Sequence, residues 1–128
     1  MIQAYFNHIK AILDQYTAVS FVLDSTISFE QRPGNQGYLH GTIIFIDESR
    51  FFFREYLDAS AIQVDKLTYA YHYQDADDNL LFRYDNAPHK PALPFQDHKH
   101  ISNTEIIQVN EPSLANTLIE IFQYQGWI

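Results

Sequence analysis

Apolar side chains recur at spacings of three and four through the first sixteen residues: Ile2, Tyr5, Phe6, Ile9, Ile12, Leu13 and Tyr16. That period covers one face of an α-helix, so an amphipathic helix is predicted from Ile2 to Tyr16, with Asn7, His8, Lys10 and Asp14 in solvent. From Val19 the period changes to two. Val19, Phe21, Leu23, Ile27 and Phe29 alternate with Ser20, Asp24, Thr26, Ser28 and Glu30, as in a half-buried antiparallel strand. Arg32 to Gly37 contains Pro33, Gly34 and Asn35 and reads as a turn. Strands at Tyr38–Ile46 and Phe51–Leu57 follow, joined at Asp47-Glu48-Ser49. In the first of these Leu39, Ile43 and Phe45 continue the buried face, and His40 and Thr42 fall on the other. The second is apolar on both sides apart from Arg54 and Glu55, which suits a central strand or one beneath a helix.

Lys66–Gln74 and Leu80–Asp85 form a hairpin around Asp77-Asp78. An even-numbered loop there sets Tyr73 opposite Phe82 and Tyr71 opposite Tyr84. His72 then faces Arg83, with Asp85 two residues further along the same face. A slip of one residue would break this grouping. Asn86 to Thr104 carries Pro88, Pro91 and Pro94 and is expected to be irregular, a length that in a compact domain points to function or disorder. Glu105–Val109 is expected to add a short strand. Asn110 to Ser113 offers helix-start chemistry, Leu114, Leu118, Ile119, Ile121 and Phe122 make an apolar helical face, and Gly126 ends it. The expected fold is α+β: an antiparallel meander of five or six strands, with N-terminal and C-terminal helices on one face.

Length and composition sharpen this picture. The 128 residues make a single domain, 1–128, and the 46% hydrophobic content rules out a disordered chain. No apolar run approaches the roughly 18 residues of a membrane span, and the N-terminus lacks a signal-peptide pattern. With no cysteine there is neither a disulfide scaffold nor a thiolate metal site, which fits a cytoplasmic location. A net charge of -8 argues against a generic basic nucleic-acid surface. Between Leu81 and His100 the balance reverses, because Arg83, Lys90 and Lys99 outnumber Asp85 and Asp97. A local phosphate site on an acidic body fits that stretch.

The longer stretch from Tyr69 to His100 holds four of the six histidines, and its chemistry admits three readings. His72, Arg83 and Asp85, with His89, His98, Lys99 and His100, could serve phosphoryl transfer without a metal: histidines as acid and base, cations around the phosphate. His98 and His100, two apart, project the same way from an extended segment and could hold a divalent ion with His89 or Asp85. In the third reading Arg83 and Asp85 pair across the sheet and the histidines pin the loop. The reading adopted has no metal and no cofactor. Tyr69, Tyr71, Tyr73 and Tyr84 read as a core face with hydroxyls at its rim rather than as a base-stacking platform. Glu55 is either a carboxylate facing the site or the buried partner of Arg54 or Arg83.

The runs Tyr71-His72-Tyr73-Gln74, Phe82-Arg83-Tyr84-Asp85-Asn86-Ala87-Pro88-His89, His98-Lys99-His100 and Pro112-Ser113-Leu114 resemble the TumE family, small prokaryotic toxins of toxin–antitoxin pairs. The likeness is specific over about residues 66–122, and Arg54-Glu55-Tyr56 fits it too. One departure stands out: the family's loop often reads Pro-His-His-Lys-His, whereas this chain reads Gln96-Asp97-His98-Lys99-His100. The resemblance implies a growth-inhibiting type II toxin with a cognate antitoxin, itself a DNA-binding protein. A metal-independent ribonuclease acting on RNA is the expected activity. Its catalytic set is His72, Arg83, Asp85, His89, His98, Lys99 and His100, with Glu55, Tyr71, Tyr84 and Asn86 contacting substrate. The alternatives are a non-enzymatic module binding RNA, a nucleotide or a protein, and a nucleotidyl- or phosphotransferase toxin. No Gly-rich phosphate loop supports the last of these. No membrane partner is expected; a homodimer is.

Overall fold

The computed structural model describes residues 1–128 and contains two helices and one seven-stranded sheet. Helix α1 spans Ile2–Thr17 and buries Ile2, Phe6, Ile9 and Leu13, the stripe predicted from their spacing. The strands are β1 (Val22–Arg32), β2 (Gln36–Phe45), β3 (Arg50–Asp58), β4 (Asp65–Gln74), β5 (Leu80–Asp85), β6 (His98–His100) and β7 (Ile106–Gln108). Each pairs antiparallel with the next in chain order. Helix α2, Leu114–Gln125, closes the chain. Ser113 caps its start by accepting the Asn116 N–H, and Gly126 ends it at φ 72°, where a side chain would be strained.

Both helices cover the same side of the sheet. Leu39, Ile43, Phe45, Phe51, Phe53, Leu57, Tyr69, Tyr71, Tyr73 and Phe82 project into that layer and meet Phe6, Leu13, Leu118, Ile121 and Phe122. The tyrosines of β4 are therefore core, as expected. Gly41 sits where this layer is tightest: a Cβ there would stand 2.3 Å from the Thr26 carbonyl oxygen and 2.4 Å from the Phe53 ring. Backbone cannot yield to that contact. Gly41→Ala is expected to lower stability by about 1–3 kcal/mol, read from the denaturant midpoint; an unchanged midpoint would show that the β1–β2 pair is looser than described here.

Two sequence expectations change. Leu23 is exposed rather than buried, because the β1–β2 ladder slips between Val22 and Asp24 and resets the alternation. More consequentially, the segment read as wholly irregular contains β6. His98, Lys99 and His100 pair with Asp85, Tyr84 and Arg83, which raises the strand count to seven. His-Lys-His has little strand propensity of its own; the unpaired edge of β5 supplies the partner.

Glu55 also lies in the helix layer, fully buried, and is not the partner of Arg54 or Arg83. The hydroxyls of Tyr5 and Tyr71 both donate to its carboxylate. Burial, and then the charge of Glu55, push both phenols far above their ordinary range, so they remain protonated donors. Lys66 completes the network by donating to the Tyr71 hydroxyl at 2.9 Å and to the Pro112 carbonyl at 2.7 Å.

Candidate functional site

The side of the sheet away from the helices is open. Cross-strand partners share a face, so the register defines rows across it. One row runs Thr42, Phe52, His72, Arg83, His100; the next runs His40, Arg54, Ala70, Asp85, His98. A third joins Glu30, Tyr38, Tyr56 and Thr68. The pairing of His72 with Arg83 and of Tyr71 with Tyr84 is the register expected from the hairpin loop.

At the β5–β6 end of these rows the chemistry is dense. Arg83 Nε donates to Asp85 Oδ2 at 2.9 Å, and its Nη1 donates to His72 Nδ1 at 3.2 Å. Burial and the neighbouring guanidinium hold the His72 pKa below its ordinary value. Neutral His72 can then accept from Arg83 at Nδ1 and donate from Nε2 to Gln74 Oε1, 3.0 Å away. His72 orients Arg83, with both nitrogens already engaged. Asp85 is buried, which on its own would favour the neutral acid. The Arg83 bond, the Ala87 N–H at 3.0 Å and the nearness of His98 outweigh that and leave its pKa below the usual carboxylate value.

Three imidazoles surround this carboxylate. His98, fully buried, places Nε2 2.8 Å from Asp85 Oδ1, and His100 places Nε2 3.4 Å from Oδ2. His89 reaches over from the Ala87–Gln96 loop, its Nε2 2.9 Å from that of His98. His100 is half-buried, and its pKa is lowered by burial, with Asp85 pulling the other way. Ligating atoms from Asp85, His89, His98 and His100 all lie within 4.8 Å of one another.

Other residues singled out in the sequence are not brought to this centre. Lys99 points to the helix layer, where Nζ donates to Glu120 Oε2 at 2.6 Å and lies over the rings of Phe82 and Tyr84. Tyr84 donates to the other oxygen of Glu120 at 2.5 Å. Tyr71 and Glu55 belong to the buried network described above. Asn86 ties β5 to β4, accepting the Tyr69 N–H and donating to the Leu67 carbonyl. Alternation explains all of these placements: a strand that shows His98 and His100 to one side must show Lys99 to the other.

The open face also contains groups that sequence reasoning passed over. All four arginines of the chain, Arg32, Arg50, Arg54 and Arg83, occupy positions on it. Arg32 pairs with Glu30 and Arg83 with Asp85, whereas Arg50 and Arg54 are in no ion pair. Tyr38 stacks on Tyr56 with centroids 4.3 Å apart, and Arg32 lies over both rings at 5.3 and 5.1 Å. Phe52 is exposed beside His72. The signal was the parity of β3, where Phe52, Arg54 and Tyr56 alternate with the buried Phe53 and Glu55. Between these groups, over Ala70, lies a shallow pocket of about 230 Å³ lined by Tyr38, His40, Phe52, Arg54, His72 and Arg83 among others.

A family model described as Toxin TumE matches residues 9–125, nearly the whole chain. The protein belongs to the TumE family of toxins and is the toxin component of a toxin–antitoxin system, with a cognate antitoxin as its partner. No curated protein and no solved structure matches it. No helix is long and apolar enough to cross a membrane. The departure from the family's loop pattern falls at Asp97, which turns away from the histidine cluster and accepts the Tyr69 hydroxyl at 2.8 Å. The cluster does not involve that position.

Proposed function

We propose that this toxin is a ribonuclease that binds RNA across the open face of its sheet and cleaves it beside Arg83. The observation that supports this reading best is the gathering of every arginine with aromatic rings on one face. All four arginines lie on one face, among exposed Tyr56 and Phe52 and half-buried Tyr38, with Asp24, Glu30, Asp58 and Asp85 interspersed. Arginines grip phosphates and aromatic rings stack on bases, the combination that single-stranded nucleic acid requires. Two shallow pockets on this face, of about 230 and 390 Å³, share Tyr38 and Arg54, and together they offer an extended strand a continuous track from Phe52 to Asn86.

Cleavage needs a cation on the phosphate and groups that move protons to either side of it. Arg83, held by Asp85 and His72, is oriented for the first task. The imidazoles of His89, His98 and His100 surround the adjacent carboxylate, as acid and base or as holders of an ion that supplies bound water. An antitoxin, expected as a DNA-binding protein, neutralises most directly by covering this face.

The test is induced expression of the toxin without its antitoxin, with growth and total RNA integrity followed together. RNA fragments should accumulate before growth stops. Growth arrest with intact RNA would reject cleavage and favour a binding or transferase toxin.

A further inference from the structure

Four donor atoms cluster at the β5–β6 end of the open face, all within 4.8 Å of one another. His98 Nε2 stands 2.8 Å from Asp85 Oδ1 and 2.9 Å from His89 Nε2, and His100 Nε2 stands 3.4 Å from Asp85 Oδ2. Ligands bound about 2.0–2.1 Å from one ion lie about 2.9 Å apart at right angles and about 3.4 Å apart at the tetrahedral angle. Those three separations fall at the two values; the four atoms together spread over 4.8 Å, so binding an ion would draw the widest-set pair inward, a movement open to His89 on its loop.

Protons alone satisfy this arrangement poorly. The Gln96 carbonyl can only accept, so His98 Nδ1, 2.7 Å away, carries a hydrogen there. His98 Nε2 then meets both a carboxylate oxygen and the Nε2 of His89, and one hydrogen cannot serve both contacts. A cation at the convergence serves every lone pair at once. The Gln96 carbonyl meanwhile does what partners of metal-bound histidines do: it takes the far N–H, fixes the tautomer and aims the ring.

We infer that Asp85, His89, His98 and His100 form a binding site for one divalent transition-metal ion of the zinc, cobalt, nickel or manganese kind. Three imidazoles and one carboxylate suit those ions and not magnesium or calcium, which take oxygen donors. Three of the four ligands sit on paired strands, so the sheet sets their spacing, and His89 closes the site from the loop. Arg83 engages Asp85 through Oδ2, and Oδ1, which accepts the Ala87 N–H at 3.0 Å, keeps a second lone pair for the ion. The site coincides with the centre of the ribonuclease reading but does not rest on it. Asp85, His89, His98 and His100 would hold the ion, and the chemistry it would supply is Lewis-acid activation of a water wherever these ligands leave a coordination position open.

The test uses the untagged full chain, stripped with chelator, titrated with zinc chloride by calorimetry and counted for bound metal after gel filtration. One equivalent of zinc per chain is expected, with no uptake of magnesium. His89→Ala and His100→Gln, at positions that are not fully buried, should each weaken zinc binding by more than about 100-fold with an unchanged circular dichroism spectrum, since losing even an outer-shell partner costs about 10–100-fold. His40→Ala, on the same face but away from the cluster, should bind as wild type does. A wild-type chain that takes up no zinc would overturn the inference. So would a folded double variant at His89 and His100 that binds like wild type, or a loss in His40→Ala equal to that in the ligand variants. Zinc bound stoichiometrically by a protein that leaves RNA intact would keep the metal site and remove the ribonuclease reading.

Discussion

Arg83→Lys is expected to abolish growth inhibition while leaving the protein folded. The guanidinium bonds Asp85 through Nε and His72 through Nη1 and keeps its remaining N–H donors for the open face. A lysine ammonium is a single point charge on a flexible stem; it cannot hold both partners and still present a planar pair of donors to a phosphate. Removing one preoriented donor from a transition-state oxyanion typically lowers the rate by about 10²–10³, and RNA fragment yield per minute should fall by that order. The circular dichroism spectrum should be retained, because Arg83 is half-buried at the sheet surface and contributes nothing to the helix layer. Full toxicity in a folded Arg83→Lys protein would take Arg83 out of the reaction.

The paired replacement His98→Ala with His100→Ala carries the other large effect. These side chains bracket both oxygens of Asp85, and nothing else in the sheet occupies their place. Whether they transfer protons themselves or hold an ion, their loss removes the group that does so, a loss of about 10²–10⁴ in rate. Strand β6 is held to β5 by main-chain pairing that Ala can also make, so the fold should survive. If it does not, His100→Ala alone, at a half-buried position, carries the test. Toxicity equal to wild type in either folded variant would contradict the assignment of this cluster.

Periodicity made much of this molecule legible. The 3.6-residue stripe of α1 and the cap and glycine stop of α2 follow from local sequence. The expected pairing of His72 with Arg83 also holds, but through a bulge between Tyr73 and Gln74, beyond which Gln74 pairs with Leu80, and not through a plain even loop. Strand β6 was not legible this way, because three polar residues become a strand only through the free edge of β5. Its absence from the sequence reading misplaced Lys99 with the histidines, when pairing sends it to Glu120. Glu55 was legible as an oddity but not in its role. Its partners Tyr5 and Tyr71 lie 50 and 16 residues away in the chain, and only packing brings their hydroxyls to one carboxylate. The arginine face was hidden for a related reason. Arg32, Arg50, Arg54 and Arg83 are scattered over more than fifty residues, and only the register of five strands shows that they share a side.

The central claim is that the open face, with Arg83 beside the Asp85 cluster, cleaves RNA. It is tested most directly by incubating the purified full-length toxin with a defined single-stranded RNA and resolving the products by length. Wild type should generate discrete fragments, Arg83→Lys should generate them on the order of 10²–10³ times more slowly, and added antitoxin should suppress them. Intact RNA after prolonged incubation with a toxin that arrests growth on expression, or equal cleavage by the folded Arg83→Lys protein, would contradict the account.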